Sequence, residues 1–178
     1  MWFVMGLPLA VGAVTSGWSG LGWGALASGL CGGAPALIIF GGVRLGWFGD
    51  WHIGERSQRP KLIAAVVALV AVALALLVAL GAPVAMVACV VVMLATLAVV
   101  GPVTAVWKIS FHTAVAAGSV VMLAWVLPWP AVVLAAGAVM VGLIGWARTA
   151  LRDHTPAQAL AGAIAGASAT AVTLAVML

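Results

Sequence analysis

The residues able to do chemistry in this chain fall in three stretches. The first runs Asp50-Trp-His52-Ile-Gly-Glu55-Arg56-Ser-Gln58-Arg59-Pro60-Lys61. The second runs Trp107-Lys108-Ile-Ser110-Phe-His112-Thr113, and the third Arg148-Thr-Ala-Leu-Arg152-Asp153-His154-Thr155-Pro156-Ala-Gln158. They set histidines beside guanidinium and ammonium groups. Guanidinium grips phosphate oxygens as a bidentate fork, and a helix N-terminus adds free N–H groups and a dipole that favours an anion. Two histidines among such cations suit phosphate-ester chemistry, one attacking phosphorus and the other protonating the leaving oxygen. Cys31 and Cys89 both fall in apolar runs and no Cys/His cluster has zinc spacing, so neither a structural metal nor a disulfide framework is expected. The positive charge needed in a transition state then falls to Arg and Lys.

The elements that must position these residues are membrane helices. Of 178 residues, 66% are hydrophobic, with seven Lys and Arg against three Asp and Glu. The mean hydropathy is +1.33. A soluble domain is about one-quarter charged, so a water-soluble fold and a disordered chain are both excluded. Seven cations spread over this length form no basic face for nucleic acid. A spanning helix takes about 20 residues, so the expected fold is all-α, a polytopic bundle of six to seven spans in one integral-membrane domain, 1–178. The expected spans lie near 2–17, 21–46, 62–81, 84–107, 111–127, 131–148 and 157–177. The first is short for a full crossing. The N-terminus lacks a basic n-region and reads as a retained membrane segment. Gly81-Ala-Pro83 and Pro128-Trp-Pro130 break the apolar runs, as Pro suits turns and first helical turns. Gly101-Pro102 is expected to kink the fourth span, and Gly162-x3-Gly166 is a small-residue face for close helix packing.

In this layout Trp18, Trp23, Trp125 and Trp129 fall at span ends on one face, and Trp47, Trp51, Trp107 and Trp146 on the other, where interfacial tryptophans belong. All the charged residues and His52, His112 and His154 share one face. The positive-inside rule explains part of that bias, Arg44 and Lys61 above all, and makes the face cytoplasmic. It does not account for the histidines or for Asp50, Glu55 and Asp153.

The three stretches resemble the type-2 phosphatidic acid phosphatase superfamily of membrane lipid phosphatases, whose blocks read Lys-x6-Arg-Pro, Pro-Ser-Gly-His and Ser-Arg-x5-His-x3-Asp. His52-x6-Arg59-Pro60 stands in the first block and Ile109-Ser110-Phe111-His112 in the second. Ala147-Arg148-x5-His154-x3-Gln158 stands in the third, followed by Ala161-Gly162. The resemblance covers about residues 50–170. It implies that His154 is the nucleophile, forming a phosphohistidine, and that His112 is the general acid. It implies that Arg59 and Arg148 hold phosphate oxygens, with Ser110 and the backbone after it as further donors. Lys108 or His52 would stand in for the first-block Lys. The orienting Asp is Gln158 here, leaving Gln158 or a carboxylate such as Asp50 to hold the imidazole. The implied catalysis is metal-independent and needs no cofactor. The implied substrate is a phospholipid or prenyl phosphate or diphosphate, with its tail between helices, and an oligomer is compatible with the sequence.

Plainer readings stand beside these. Thr155-Pro156-Ala157-Gln158 is a helix start, with Thr as N-cap, Pro at N1 and Gln at N3 as in a capping box. Arg152 suits a lipid-headgroup cation, Asp153 a partner for a nearby cation, and Glu55 and Arg56 a solvated loop. A catalytically degenerate relative that binds lipid phosphate or a membrane partner is the main rival, motivated by Gln158, Phe111 and His52. A phosphotransferase passing the phosphoryl group to an alcohol is a variant. A transporter ranks below both, because ionisable groups within spans are lacking.

Overall fold

The computed structural model describes the backbone of residues 2–46 and 59–178 and the side chains of 4–46 and 63–178. Helix α1 covers Trp2–Ser28 and runs through a π-helical turn, Gly29–Gly33, into α2, Ala34–Arg44. Then come α3, Arg59–Ala79, α4, Val84–Val106, α5, Phe111–Val126, α6, Pro130–Ala150, and α7, Pro156–Met177. No strand occurs among the described residues. By length and composition four stretches are long and apolar enough to cross a membrane: Val4–Arg44, which is interrupted at Gly17, Val84–Val106, Pro130–Ala150 and Pro156–Met177. Ile63–Ala79 and Phe111–Val126 are shorter apolar helices. This fits an integral membrane protein.

The break expected at 18–20, between the first two spans, falls at the residue before it. Gly17 sits at φ 59, ψ −137, a conformation open in practice to glycine alone. The chain reverses there, and its two arms pack face to face with contacts symmetrical about the turn. Gly12 lies against the Gly20 carbonyl and Gly24 against the Pro8 carbonyl, while the Ser28 hydroxyl donates to the Met5 carbonyl at 2.6 Å. The first arm rises about 22 Å at 1.5 Å per residue, short of a hydrocarbon core of about 30 Å. Trp18, next to the turn, is 90% exposed, as an interfacial anchor would be. Downstream, Pro35 has no N–H to give the Cys31 carbonyl. The turn before it widens accordingly, with Ala34 N–H on the Gly29 carbonyl, a local π-bulge.

The break at Gly81-Ala-Pro83 is a Schellman end to α3. Gly81, at φ 73, donates to the Val78 carbonyl at 3.1 Å and Ala82 to the Leu77 carbonyl at 2.9 Å, and Pro83 then caps α4. α5 is the central helix. Thr113, Ala114, Ala116, Ala117, Gly118, Ser119, Val120, Met122 and Ala124 are all buried. In lipid, helices associate by close packing and interhelical hydrogen bonds more than by apolar burial, which explains so many small residues there. α5 and α7 run parallel, with Gly162 against the Ser110 carbonyl, Gly166 against the Ala114 carbonyl and Gly118 against the Thr170 hydroxyl. α6 connects them antiparallel, pairing Gly137 with Val120 and Gly145 with Thr113. α6 buries only Gly137 and forms the outer wall. Elsewhere, Val11, Leu77, Cys89, Met122 and Leu174 share one buried cluster, in which α1, α3, α4, α5 and α7 meet.

Candidate functional site

Because α5 and α7 are parallel, their N-termini lie side by side at one end of the bundle, and the C-terminus of α6 arrives beside them. Ser110 caps α5 from an extended backbone, φ −84, ψ 108, its hydroxyl accepting the Thr113 N–H at 3.4 Å. The first N–H groups of a helix have no internal partner. Those of Phe111 and His112 stand in the first turn of α5, and free N–H groups at a helix start are the usual makings of an anion site. α7 opens as its sequence indicates. The Thr155 hydroxyl accepts the Gln158 N–H at 3.3 Å, Gln158 Oε1 accepts the Thr155 N–H at 3.0 Å, and Pro156 is in the first turn.

Two bonds lock the helix starts together. Thr113 Oγ1 donates to the Ala159 carbonyl at 2.7 Å, and the Ser110 N–H donates to the Gln158 carbonyl at 3.2 Å. Thr113 was no candidate on sequence, and a threonine three residues after a Ser cap is the only signal that marks it. Between α6 and α7 the chain turns through Arg152, held at φ 56. That left-handed conformation costs a non-glycine residue roughly 1–2 kcal/mol. The turn is held by the Arg148 carbonyl, which accepts both the Asp153 N–H at 3.0 Å and the His154 N–H at 3.2 Å.

The side chains follow from that frame. Arg148 is 19% exposed, and its Nη2 meets Asp153 Oδ2 at 2.9 Å, so Asp153 pairs with a cation as expected. Arg148 Nε is buried without a hydrogen-bond partner. His154 is partly buried, with Nδ1 3.0 Å from the Lys108 carbonyl oxygen. A carbonyl only accepts, so Nδ1 is the donor. His112 is exposed in the first turn of α5. Lys108 is partly buried on the extended link before Ser110.

The other expected site residues fare differently. Ser110 is fully buried, and its hydroxyl serves the helix start. Gln158 makes no hydrogen bond to His154, since its side-chain oxygen is engaged by Thr155. Asp50 and His52, with Trp51, Glu55 and Arg56, lie outside the described residues. Arg59 opens α3, though its side chain lies outside them too. Ile63, one turn further on, packs against Gly101, next to Val100, which clusters with Ile109. The start of α3 therefore lies at the same end of the bundle as His112 and His154. Among the described residues, no group of three His, Cys, Asp or Glu side chains is placed to hold a metal ion.

The site thus offers one imidazole fixed by its backbone, a second imidazole on a helix N-terminus, and a guanidinium with an unused buried N–H. That set can bind an anion, attack it and protonate a leaving group. No protein-family model matches the chain, and no curated protein or solved structure matches it significantly.

Proposed function

We propose that the chain is a membrane lipid phosphatase of six to seven crossings, similar to the type-2 phosphatidic acid phosphatases, with its active end facing the cytoplasm. Its substrate is a phospholipid or prenyl phosphate or diphosphate, the head at the paired helix N-termini and the tail between helices. The observation that carries this reading is that His154 Nδ1 lies on the Lys108 carbonyl just before α5, in whose first turn His112 stands, while the Arg148 carbonyl holds the turn that carries His154.

With Nδ1 donating to the Lys108 carbonyl, the lone pair of His154 is on Nε2, the atom that attacks phosphorus. The P–O bond to the lipid breaks as P–N forms, and His112 gives its proton to the departing oxygen. Water then attacks the phosphohistidine, His112 takes its proton, and phosphate leaves. Arg148, Lys108, Arg59 and the Phe111 and His112 N–H groups carry the charge on the equatorial oxygens. Removing one such preorganised donor costs roughly a hundredfold to a thousandfold in rate.

The test is phosphate release by purified protein in detergent without added metal. The substrates are phosphatidic acid, phosphatidylglycerol phosphate and prenyl phosphates and diphosphates, with His154→Ala alongside. Release lost in the variant supports the reading. No release from any substrate, by wild type and variant alike, overturns it. One observation favours a rival that binds lipid phosphate without turnover: Asp153, the nearest acidic residue in sequence, is engaged by Arg148. Lipid-phosphate binding without release would identify that rival.

A further inference from the structure

His154 needs a partner that fixes its ring, and the geometry points to the main chain of Trp107–Ser110: we infer that the Lys108 carbonyl, held by an Ile109-locked turn, is the orienting group for His154. The inference rests on His154 being the nucleophile of the proposed phosphatase.

The link between α4 and α5 is a strap tied at both ends. Trp107 N–H donates to the Val103 carbonyl in the last turn of α4 at 2.8 Å, and Ser110 N–H donates to the Gln158 carbonyl on α7 at 3.2 Å. Between them, Ile109 N–H donates back to the Trp107 carbonyl at 2.8 Å, a three-residue turn centred on Lys108. The Ile109 side chain is 5% exposed and packs with Val100 of α4 and Ala114 of α5. This turn aims the Lys108 carbonyl at His154 Nδ1, 3.0 Å away.

His154 is held from its own side as well, by its N–H on the Arg148 carbonyl at 3.2 Å. Among the described residues, the neighbouring side chains that could have taken Nδ1 are engaged elsewhere. Gln158 Oε1 accepts from Thr155, and Asp153 is paired with Arg148. The acceptor for Nδ1 is thus a neutral carbonyl. It selects the tautomer with Nε2 free, but its partial charge does less than a carboxylate to favour a cationic ring.

Lys108 is therefore a positioning residue through its main chain, and Ile109 is the residue that sets it. Ile109→Pro removes the N–H of the turn, while Ile109→Val keeps both the N–H and an apolar side chain. The readouts are the protonated ring nitrogen of His154, by 15N NMR of histidine-labelled protein in micelles with His154→Gln as the assignment control, and kcat and KM for phosphate release. At a pH where the ring is neutral, wild type and Ile109→Val should show the proton on Nδ1. Ile109→Pro should shift it toward Nε2 and lower kcat about tenfold to a hundredfold with KM little changed. A wild-type His154 protonated on Nε2 overturns the inference, and so does an Ile109→Pro variant with its tautomer unaltered. If Ile109→Pro does not fold, the wild-type spectrum and an Ile109→Gly variant, in which the turn is loosened, decide it. An Nδ1 proton without phosphate release would uphold the strap and remove the phosphatase.

Discussion

Thr113 on α5 and Ala159 on α7 are joined by a 2.7 Å hydrogen bond from the threonine hydroxyl to the alanine carbonyl. The same hydroxyl lies 3.2 Å from the Ser110 carbonyl. This bond sets how far α5 slides along α7, and so where His112 stands relative to His154. Thr113→Val keeps the shape and loses the donor. An interhelical bond in a membrane protein is worth about 0.6 kcal/mol on average and up to about 1.7. The expected outcome is a loss within that range by thermal or SDS unfolding, with phosphate release reduced further than stability alone explains. Thr113→Ser should recover most of both.

Gly162 and Gly166 let α7 approach the carbonyls of Ser110 and Ala114 so closely that a Cβ at either position would overlap them. Gly166→Ala should destabilise by roughly 1–3 kcal/mol, the usual cost of overpacking. Gly142 on α6 has nothing within 4 Å of a built Cβ, so Gly142→Ala should be neutral or stabilising by up to about 1 kcal/mol. Parallel unfolding curves of the two variants check this. Equal effects would remove the close-packing account.

Arg148 combines an ion pair to Asp153 with a buried, unpartnered Nε. Arg148→Lys keeps the charge and loses the planar fork. Phosphate release should fall on the order of a hundredfold, with the detergent-solubilised fold intact by circular dichroism. A fall of less than threefold would show that the fork is not used on phosphate.

Arg152 occupies a left-handed position, φ 56, where helix ends usually place glycine. Arg152→Gly should relieve that strain and stabilise by up to about 1 kcal/mol, after allowing for glycine's greater freedom in the unfolded chain. Its melting temperature against wild type is the measurement. Destabilisation would mean that the Arg152 side chain contributes more than its backbone costs.

Gln158 separates a capping role from an orienting one. Gln158→Ala removes the side-chain half of the capping box and should cost about 0.5–2 kcal/mol. It should leave phosphate release within tenfold of wild type, because His154 Nδ1 keeps the Lys108 carbonyl. A thousandfold loss of rate with modest loss of stability would return the orienting role to Gln158.

Much of the frame was legible in the sequence because it depends on local chemistry. Apolar runs long enough for membrane helices, the breaks at Gly81-Ala-Pro83 and Pro128-Trp-Pro130, and the Thr155–Gln158 helix start all come from neighbours within a few residues. The observed ends of α3 to α7 fall within three residues of the expected spans. The small-residue face at Gly162 and Gly166 could be read, but not the carbonyls it approaches. The pairing of Asp153 with a cation could be read, but not that Arg148 is the cation.

What the sequence by itself determined is composition-driven: an all-helical chain for lipid, with its histidines and cations confined to a few helix-end segments. What only the tertiary structure decided is the pairing of distant backbone groups. Lys108 and His154 are 46 residues apart, as are Thr113 and Ala159. A main-chain carbonyl is present at every residue, so no residue type marks the one that will meet a particular imidazole. Gly17 likewise appears as one glycine among 22, and the packing of Gly12 on Gly20 and Gly24 on Pro8 singles it out as the point of reversal. Side-chain chemistry is written in residue identity, whereas the partner of a backbone group is set by helix direction and register, which the packing of α5 against α7 supplies.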